Sequence, residues 1–276
     1  MSDFTATNTK ESSQPRPVHP SISRQQLVQL LNHKLGSAAI KDYCPNGLQV
    51  EGKSQIFKVV TGVTASQKLL AAAVQAGADA VLVHHGYFWK GEASEVTGMK
   101  KRRLQTLLQH DINLLAYHLP LDVHPTLGNN ARLGQLLALC NVRPLPGIEP
   151  LGVVMMGELI APQTPVAVAA TLAQVLQRLP LLHQVATADA ALQVRTLAWC
   201  SGGGQGYIEA AAAAGAELFF SGEVSEQTIH CADELGIHFI AAGHHATERY
   251  GIEALGLWLA AETGIEVEFI DLPNPA

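Results

Sequence analysis

Residues 77–92 read Gly-Ala-Asp-Ala-Val-Leu-Val-His-His-Gly-Tyr-Phe-Trp-Lys-Gly-Glu. The apolar, β-rich run Ala80 to Val83 ends abruptly in two adjacent histidines and a glycine. A buried strand gains nothing by finishing on two imidazoles, whereas neutral imidazole is the commonest protein ligand for zinc, iron, manganese and nickel. Adjacent side chains on a strand point to opposite faces. Past the strand end Gly86 lets the backbone turn, so His84 and His85 can face two cations or two sides of one. Either histidine alone is better explained as a core or an exposed residue; the pair at a strand exit favours metal.

The surrounding pattern is α/β. Ser21 or Ser23 caps a first helix with apolar residues Leu27, Leu30, Leu31 and Leu35 at helical spacing. Asp42 to Leu48 is a loop by its Pro and Asn-Gly punctuation. Phe57 to Val63 is a strand, Thr64 or Ser66 opens a helix to about Gln75, and Gly77 ends it before the strand at Ala80. A β–α–β order implies parallel strands with a right-handed crossover. A helix from Lys100 to Gln109 leads to a strand, Ile112 to Tyr117, which exits into His118-Leu119-Pro120-Leu121-Asp122-Val123-His124. Ligand sites in such sheets lie outside the carboxyl ends of the strands. A further helix runs from Asn129 to about Leu139.

Residues 142–194 are punctuated by prolines, with a strand (Gly152 to Leu159), a helix (Val166 to Leu179) and no cluster of ligand-type residues. They read as a connecting segment or small insert between a first lobe, 21–141, and a second, 195–276. The α/β rhythm resumes with a strand at Thr196 to Cys200, a glycine-rich turn at 202–206, an Ala-rich helix to Ala214 and a strand at Leu218 to Phe220. A helix from Glu226 to Leu235 and a strand from Ile237 to Ala241 follow. Gly243-His244-His245-Ala246-Thr247-Glu248 then opens a long helix, and Ile265 to Ile270 is a last strand. The turn at 202–206 lacks the Lys-Ser/Thr of a P-loop and the spacing of a dinucleotide fingerprint.

A faint repeat underlies this order. Gln75-Ala76-Gly77-Ala78-Asp79 matches Ala213-Ala214-Gly215-Ala216-Glu217, which sets His84-His85 opposite Gly222-Glu223 and Ile112–His118 opposite Ile237–Gly243. Two related halves facing each other would line one cleft with both sets of strand exits.

Three remote stretches therefore supply ligand types: His84 and His85; Asp122 with His118 and His124 nearby; and His244 or His245 with Glu248. His244 and Glu248 are four residues apart, on one helix face. Such a set can hold two divalent cations; pairs of metals about 3.5–4 Å apart polarise a substrate oxygen or activate water. His118 suits a proton carrier, His124 a loop-shaping residue, and Glu223 the cleft because it follows a strand exit.

Composition narrows the classes. The 276 residues are 47% hydrophobic and 15% charged, with ample core. No apolar run reaches the ~18 residues of a membrane span. A net charge of −6 opposes a general grip on nucleic acid, and the one basic cluster, Lys100-Lys101-Arg102-Arg103, reads as the solvated start of a helix. Cys44, Cys140, Cys200 and Cys231 form no Cys-x-x-Cys and read as reduced cytosolic thiols. Residues 1–20, polar and Pro-rich without a secretion signal, read as a disordered tail. A cytoplasmic location is expected.

Five stretches together resemble the YbgI or Nif-three-like family, several of whose members are catalogued as GTP cyclohydrolase I type 2 homologues: DYCPNGLQVEG (42–52), VHHGYFWKGE (83–92), YHLPLDVHPTLGNN (117–130), SGEVSEQ (221–227) and GHHATE (243–248). The resemblance implies two similar α/β lobes with mainly parallel sheets facing across a metal-binding cleft. It implies a dinuclear centre on His84, His85, Asp122, His244 and Glu248, which resolves the 244/245 choice. It also implies a homohexameric ring with the metal sites facing an internal cavity. The expected function is a dinuclear metal-dependent hydrolase of a small nucleotide-like or cyclic-amide substrate, with His118 or Glu223 moving protons; a GTP cyclohydrolase would attack C8 of guanine. The metal is zinc, iron, manganese or nickel. The competing expectation is a non-enzymatic assembly or regulatory protein with a protein or DNA partner, the DNA variant being disfavoured by the acidic charge.

Overall fold

The computed structural model describes residues 20–186 and 193–276. The expectation of a disordered tail at 1–20 falls on residues outside these, save Pro20. The described residues build two large sheets, besides a small antiparallel pairing of Ile22–Ser23 with Gln55–Ile56. In the first, strands lie in the order Glu266–Phe269, Lys58–Thr64, Ala80–His85, Asn113–Ala116 and Gly47–Val50, the last antiparallel and the others parallel. In the second the order is Cys140–Pro144, Met155–Gln163, Val194–Cys200, Leu218–Ser221, His238–Ala241 and Leu181–His183. Its three middle strands, Val194–Cys200, Leu218–Ser221 and His238–Ala241, are parallel, flanked by antiparallel ones.

Both sheets are covered on both faces, which is why their central strands are apolar throughout rather than alternating. Under the first sheet, Leu69, Leu70 and Leu107 from helices Gln67–Gln75 and Gly98–Gln109 pack on Val60, Val81 and Leu114. Over it, helices Arg24–Leu35 and His244–Thr263 bring Leu27, Leu31, Ile252 and Leu255 onto Val59, Leu82 and Leu115. The second sheet has Ile208–Ala213 and Glu226–Leu235 on one side. Asn129–Leu136 and Pro165–Leu176 lie on the other. Ser23 caps the first helix and closes a capping box with Gln26.

The repeat is real in three dimensions. Val59 lies opposite Ala80 and Ala80 opposite Asn113; Leu197 lies opposite Leu218 and Leu218 opposite His238. Asp79 accepts hydrogen bonds from the Phe57 and Lys58 amides, and Glu217 accepts them from Arg195 and Thr196. Each acid thus pins the start of the neighbouring parallel strand in its own half.

Four features differ from the sequence reading. The second strand runs through His85 rather than ending at Val83, because His85 is in register with Thr64 and its carbonyl accepts from Ala65. The loop after the first helix is shorter, since Gly47–Val50 forms an edge strand on Asn113–Ala116. The segment 142–194 is woven into the second sheet: Met155–Gln163 pairs with Val194–Cys200, and Leu181–His183 with His238–Ala241. The last strand belongs to the first sheet, because helix His244–Thr263 carries the chain back across the cleft to pair with Lys58–Thr64.

Asp79 is buried and also holds Lys53 at 2.7 Å. Burial pushes its pKa up, but Lys53 and the two amides outweigh this and hold the carboxyl below the ordinary aspartate range. Its contribution is complete above the unfolded-state pKa and is lost as pH falls through the folded one. Asp79→Ala is expected to cost on the order of 3 kcal/mol in urea unfolding at neutral pH. The deficit should shrink in acid, and Glu217→Ala, at an exposed position, should cost less.

Candidate metal centre

His84 is fully buried. The His84 ring contacts the Tyr117 carbonyl through Nδ1 at 3.0 Å, and as the carbonyl can only accept, Nδ1 carries the proton. Nε2 is then turned to Asp122 Oδ1 and Glu248 Oε1, each 3.5 Å away, and has no hydrogen-bond partner. His85 Nδ1 lies 3.1 Å from Thr64 Oγ1, and its Nε2 faces Glu248 Oε2 at 3.2 Å. His244 donates through Nδ1 to Glu223 Oε1 at 2.7 Å, leaving Nε2 3.1 Å from the same Glu248 Oε2. Glu248 Oε2 is itself buried without a hydrogen-bond donor. The helix beginning at His244 sets His244 and Glu248 one turn apart on a common face.

Asp122 sits at the end of a short helix, Leu119–Asp122, rather than in an open loop. Its Oδ1 accepts from Asn129 Nδ2 at 2.8 Å and Ser201 Oγ at 3.0 Å. Asn129 Oδ1 in turn accepts from the Gly251 amide. One amide side chain thereby ties a candidate ligand of the first lobe, Asp122, to the helix bearing Glu248.

Among the described residues, four sets of three donors have their ligand atoms within 4.8 Å of one another: two share Glu248, namely His84, Asp122 and Glu248, and His85, His244 and Glu248, while the other two share His118, with His84 and His85 or with Asp42 and Cys44. The donors around Glu248 fit a divalent cation: nitrogen and carboxylate oxygen, converging, desolvated, with imidazole orientation fixed from behind. The electrostatics say the same. Burial disfavours charge on His84, yet Asp122 and Glu248 raise its pKa to about 9. Burial is likewise outweighed at His244, raised to about 9 by Glu248 and Glu223. Burial together with His84 and His244 drives His85 down to about 3. Burial pushes Glu248 up, but the surrounding imidazoles hold it well below the usual carboxylate range; Asp122 is raised by burial and by Glu248. The cluster demands positive charge at its centre, supplied by protons or by cations.

Gly202 closes the floor. At φ +58° it occupies the left-handed region, and a Cβ there would overlap Glu248 Oε1 and come within 3.0 Å of His244 Nε2. Cys200 lines the cavity, but burial and then Asp122 and Glu248 push its thiol well above the ordinary range, so it offers no thiolate.

The other candidates are placed as follows. His118 Nδ1 lies 2.7 Å from Asp42 Oδ1, and its ring is 5.1 Å from that of His84 and 4.9 Å from that of Trp89. Glu223 lies behind His244. His124 accepts from the Thr126 and Leu127 amides and shapes its loop. His245 pairs with Asp271 at 2.8 Å, away from the cluster. Asp42, Asn129, Ser201 and Gly202 were not singled out as site residues from sequence. Asp42 was visible only as a loop residue and Gly202 only as a turn. His85, His118, Asp122, His244 and Glu248 line a cavity of about 530 Å³.

The Duf34/NIF3 (NGG1p interacting factor 3) family model matches residues 22–275. This chain belongs to the NIF3 family. Its relatives include a Pasteurella multocida protein, 58% identical over 251 residues (91% of this chain, 98% of the relative), and an Escherichia coli K12 protein, 57% identical over 255 residues (92% and 100%). Both bear the name GTP cyclohydrolase 1 type 2 homolog. Among solved structures, ybgI, of unknown function, superposes with a TM-score of 0.87 at 54% identity, covering 92% of this chain and all of that one. A Thermus thermophilus protein, TTHA1606, gives 0.82 at 36% identity, with the same coverage. This NIF3 protein has no helix among its described residues long and apolar enough to cross a membrane.

Chelation is expected to strip metal without unfolding the chain, because both sheets have complete apolar cores; far-UV circular dichroism alongside elemental analysis checks this. Glu223→Ala should weaken metal binding about 10–100-fold by releasing the His244 ring, measured by competition with a chromophoric chelator.

Proposed function

We propose that this chain is a dinuclear metal-dependent hydrolase of a small nucleotide-like or cyclic-amide substrate, of the GTP cyclohydrolase I type 2 kind. The observation that carries this reading is the division of one carboxylate. Glu248 Oε1 faces His84, while Oε2 faces both His85 and His244. A bridging acid with an imidazole-bearing set on each side is suited to two cations rather than one. When bound, such a pair supplies Lewis acidity to a substrate oxygen and acidifies water.

The chain's own residues supply the proton traffic. Burial raises the pKa of Asp42, but His118, Asn46 and the Tyr43 amide outweigh it, so its carboxylate is ionised. An ionised carboxylate only accepts, so His118 Nδ1 carries a hydrogen, and it is the neutral form of the ring that offers the Nε2 lone pair to the cavity. Asp42 Oδ2 also accepts from Asn46 Nδ2 and the Leu119 amide, which fixes the carboxylate and so the ring. His118 Nε2 takes a proton from the attacking water and returns it to the leaving nitrogen, while Nδ1–H stays on Asp42. Glu223 holds His244 in place; its oxygen is committed to that ring. Tyr43, Trp89 and Tyr207 wall the cavity and limit water around the substrate. The relatives' shared name supports the same reaction class. The homohexameric ring implied by the family resemblance is part of the proposal; sedimentation as a monomer would remove that part.

The test is a panel of nucleotides and cyclic amides offered to zinc-, manganese-, iron- and nickel-loaded protein. Hydrolysis of at least one member is expected. Asp122→Ala should abolish it with the fold intact. His118→Ala should lower kcat by about 10²–10⁴-fold at unchanged metal content. A silent panel with every metal, or a His118→Ala enzyme of full activity, refutes the respective part.

A further inference from the structure

The basic run 100–103 does not behave as one solvated patch. Lys100 pairs with Glu92 at 3.4 Å and donates to the Ala93 carbonyl, and Lys101 and Arg102 are exposed. Arg103 lies on another face of the helix and turns inward. It lines the large cavity together with His85, His118 and Glu248. It also lines an adjoining cavity of about 390 Å³ with Ser66, Lys68 and His245. Thr64 stands beside it in both linings.

Among the described residues, the Arg103 side chain has no partner for an ion pair or a hydrogen bond. Its Nε is buried with no acceptor, and its aromatic companion is the Tyr87 ring, 5.9 Å from the guanidinium carbon. A guanidinium has five N–H donors in a rigid fork that matches an oxyanion edge-on. Here that fork is held against a cavity rather than against a carboxylate of its own chain. It is also the one lysine or arginine in the large cavity's lining among the described residues. Of the acidic side chains there, Asp122 and Glu248 belong to the imidazole cluster, which leaves Glu149.

We propose that Arg103 is the specificity residue for the substrate's anionic group, a phosphate or carboxylate, which it binds while the reacting centre lies at the Glu248 cluster. This rests on the hydrolase reading of the same cavity. It favours a nucleotide over a neutral nucleoside or an uncharged cyclic amide. Arg103 and the Glu248 cluster, which line the same cavity, then receive different parts of one anionic molecule.

The test titrates inorganic phosphate and, separately, acetate into metal-loaded and chelated protein at constant ionic strength. Wild type is compared with Arg103→Met, Arg103→Gln and Arg103→Lys, each checked by thermal melting. Phosphate affinity should fall about tenfold or more in the Met and Gln variants, in both metal states, and return in part with Lys, which keeps the charge but not the fork. A parallel fall for acetate assigns oxyanions generally; a fall for phosphate alone assigns phosphate. Should Met not fold, Gln carries the comparison. Equal affinity of wild type and the folded Met or Gln variant for both ions, with and without metal, overturns the proposal. The two readings fail separately. A silent hydrolysis panel with Arg103-dependent phosphate binding refutes the hydrolase and leaves the anion site. Hydrolysis of a phosphorylated substrate whose KM is unmoved by Arg103→Met does the reverse.

Discussion

A buried carboxylate surrounded by three imidazoles governs this molecule. Glu248 is 3% exposed, and an isolated charge in that position would cost far more than one domain's net stability. It is tolerated because His84, His85 and His244 converge on it from two lobes. The helix that carries it cannot withdraw. Its first turn leaves the second sheet at Gly243, and Ile252, Leu255 and Leu259 lie in the core that covers the first. Asn129 braces the same helix one turn on from Glu248, accepting from Gly251 and donating to Asp122. The candidate metal centre and the joint between the lobes therefore share the same residues.

Much of this was legible in the chain because local signals and global structure agree. Apolar runs flanked by capping serines and left-handed glycines marked the parallel strands and their helices, and three ligand-bearing exits announced the centre. What escaped was decided by distant partners. Gly47–Val50, Cys140–Pro144 and Leu181–His183 are short edge strands, partly exposed and close to prolines, with none of the buried apolar run that betrays a central strand. The return of the last strand to the first sheet depends on the length and direction of one helix. Asp42 looks like a turn residue until His118, 76 positions later, folds onto it. Arg103 differs from Arg102 in sequence by nothing but one step along a helix, roughly 100° of rotation. That step separates a solvated face from the wall of a cavity.

The internal repeat shows how two equal scaffolds became unequal tools. The three parallel strands at the heart of each half pair in the same order, down to the acids at 79 and 217 that pin the neighbouring strand. The strand exits differ. Where the first half presents His84 and His85, the second presents Gly222 and Glu223. Glu223 then orients a histidine instead of supplying one. Where the first half has Thr64 against His85, the second has Gly202, whose missing side chain leaves the room that Glu248 Oε1 occupies. Asp122 corresponds to Thr247, which accepts from the Gly202 amide and so holds that glycine against the acid. One half contributes most of the nitrogen donors. The other contributes space, an orienting acid and the helix that delivers the shared carboxylate. Identical halves would have put imidazoles on both walls with no room for the acid between them, so the loss of side chains at 202 and 222 matters as much to the centre as the histidines at 84 and 85.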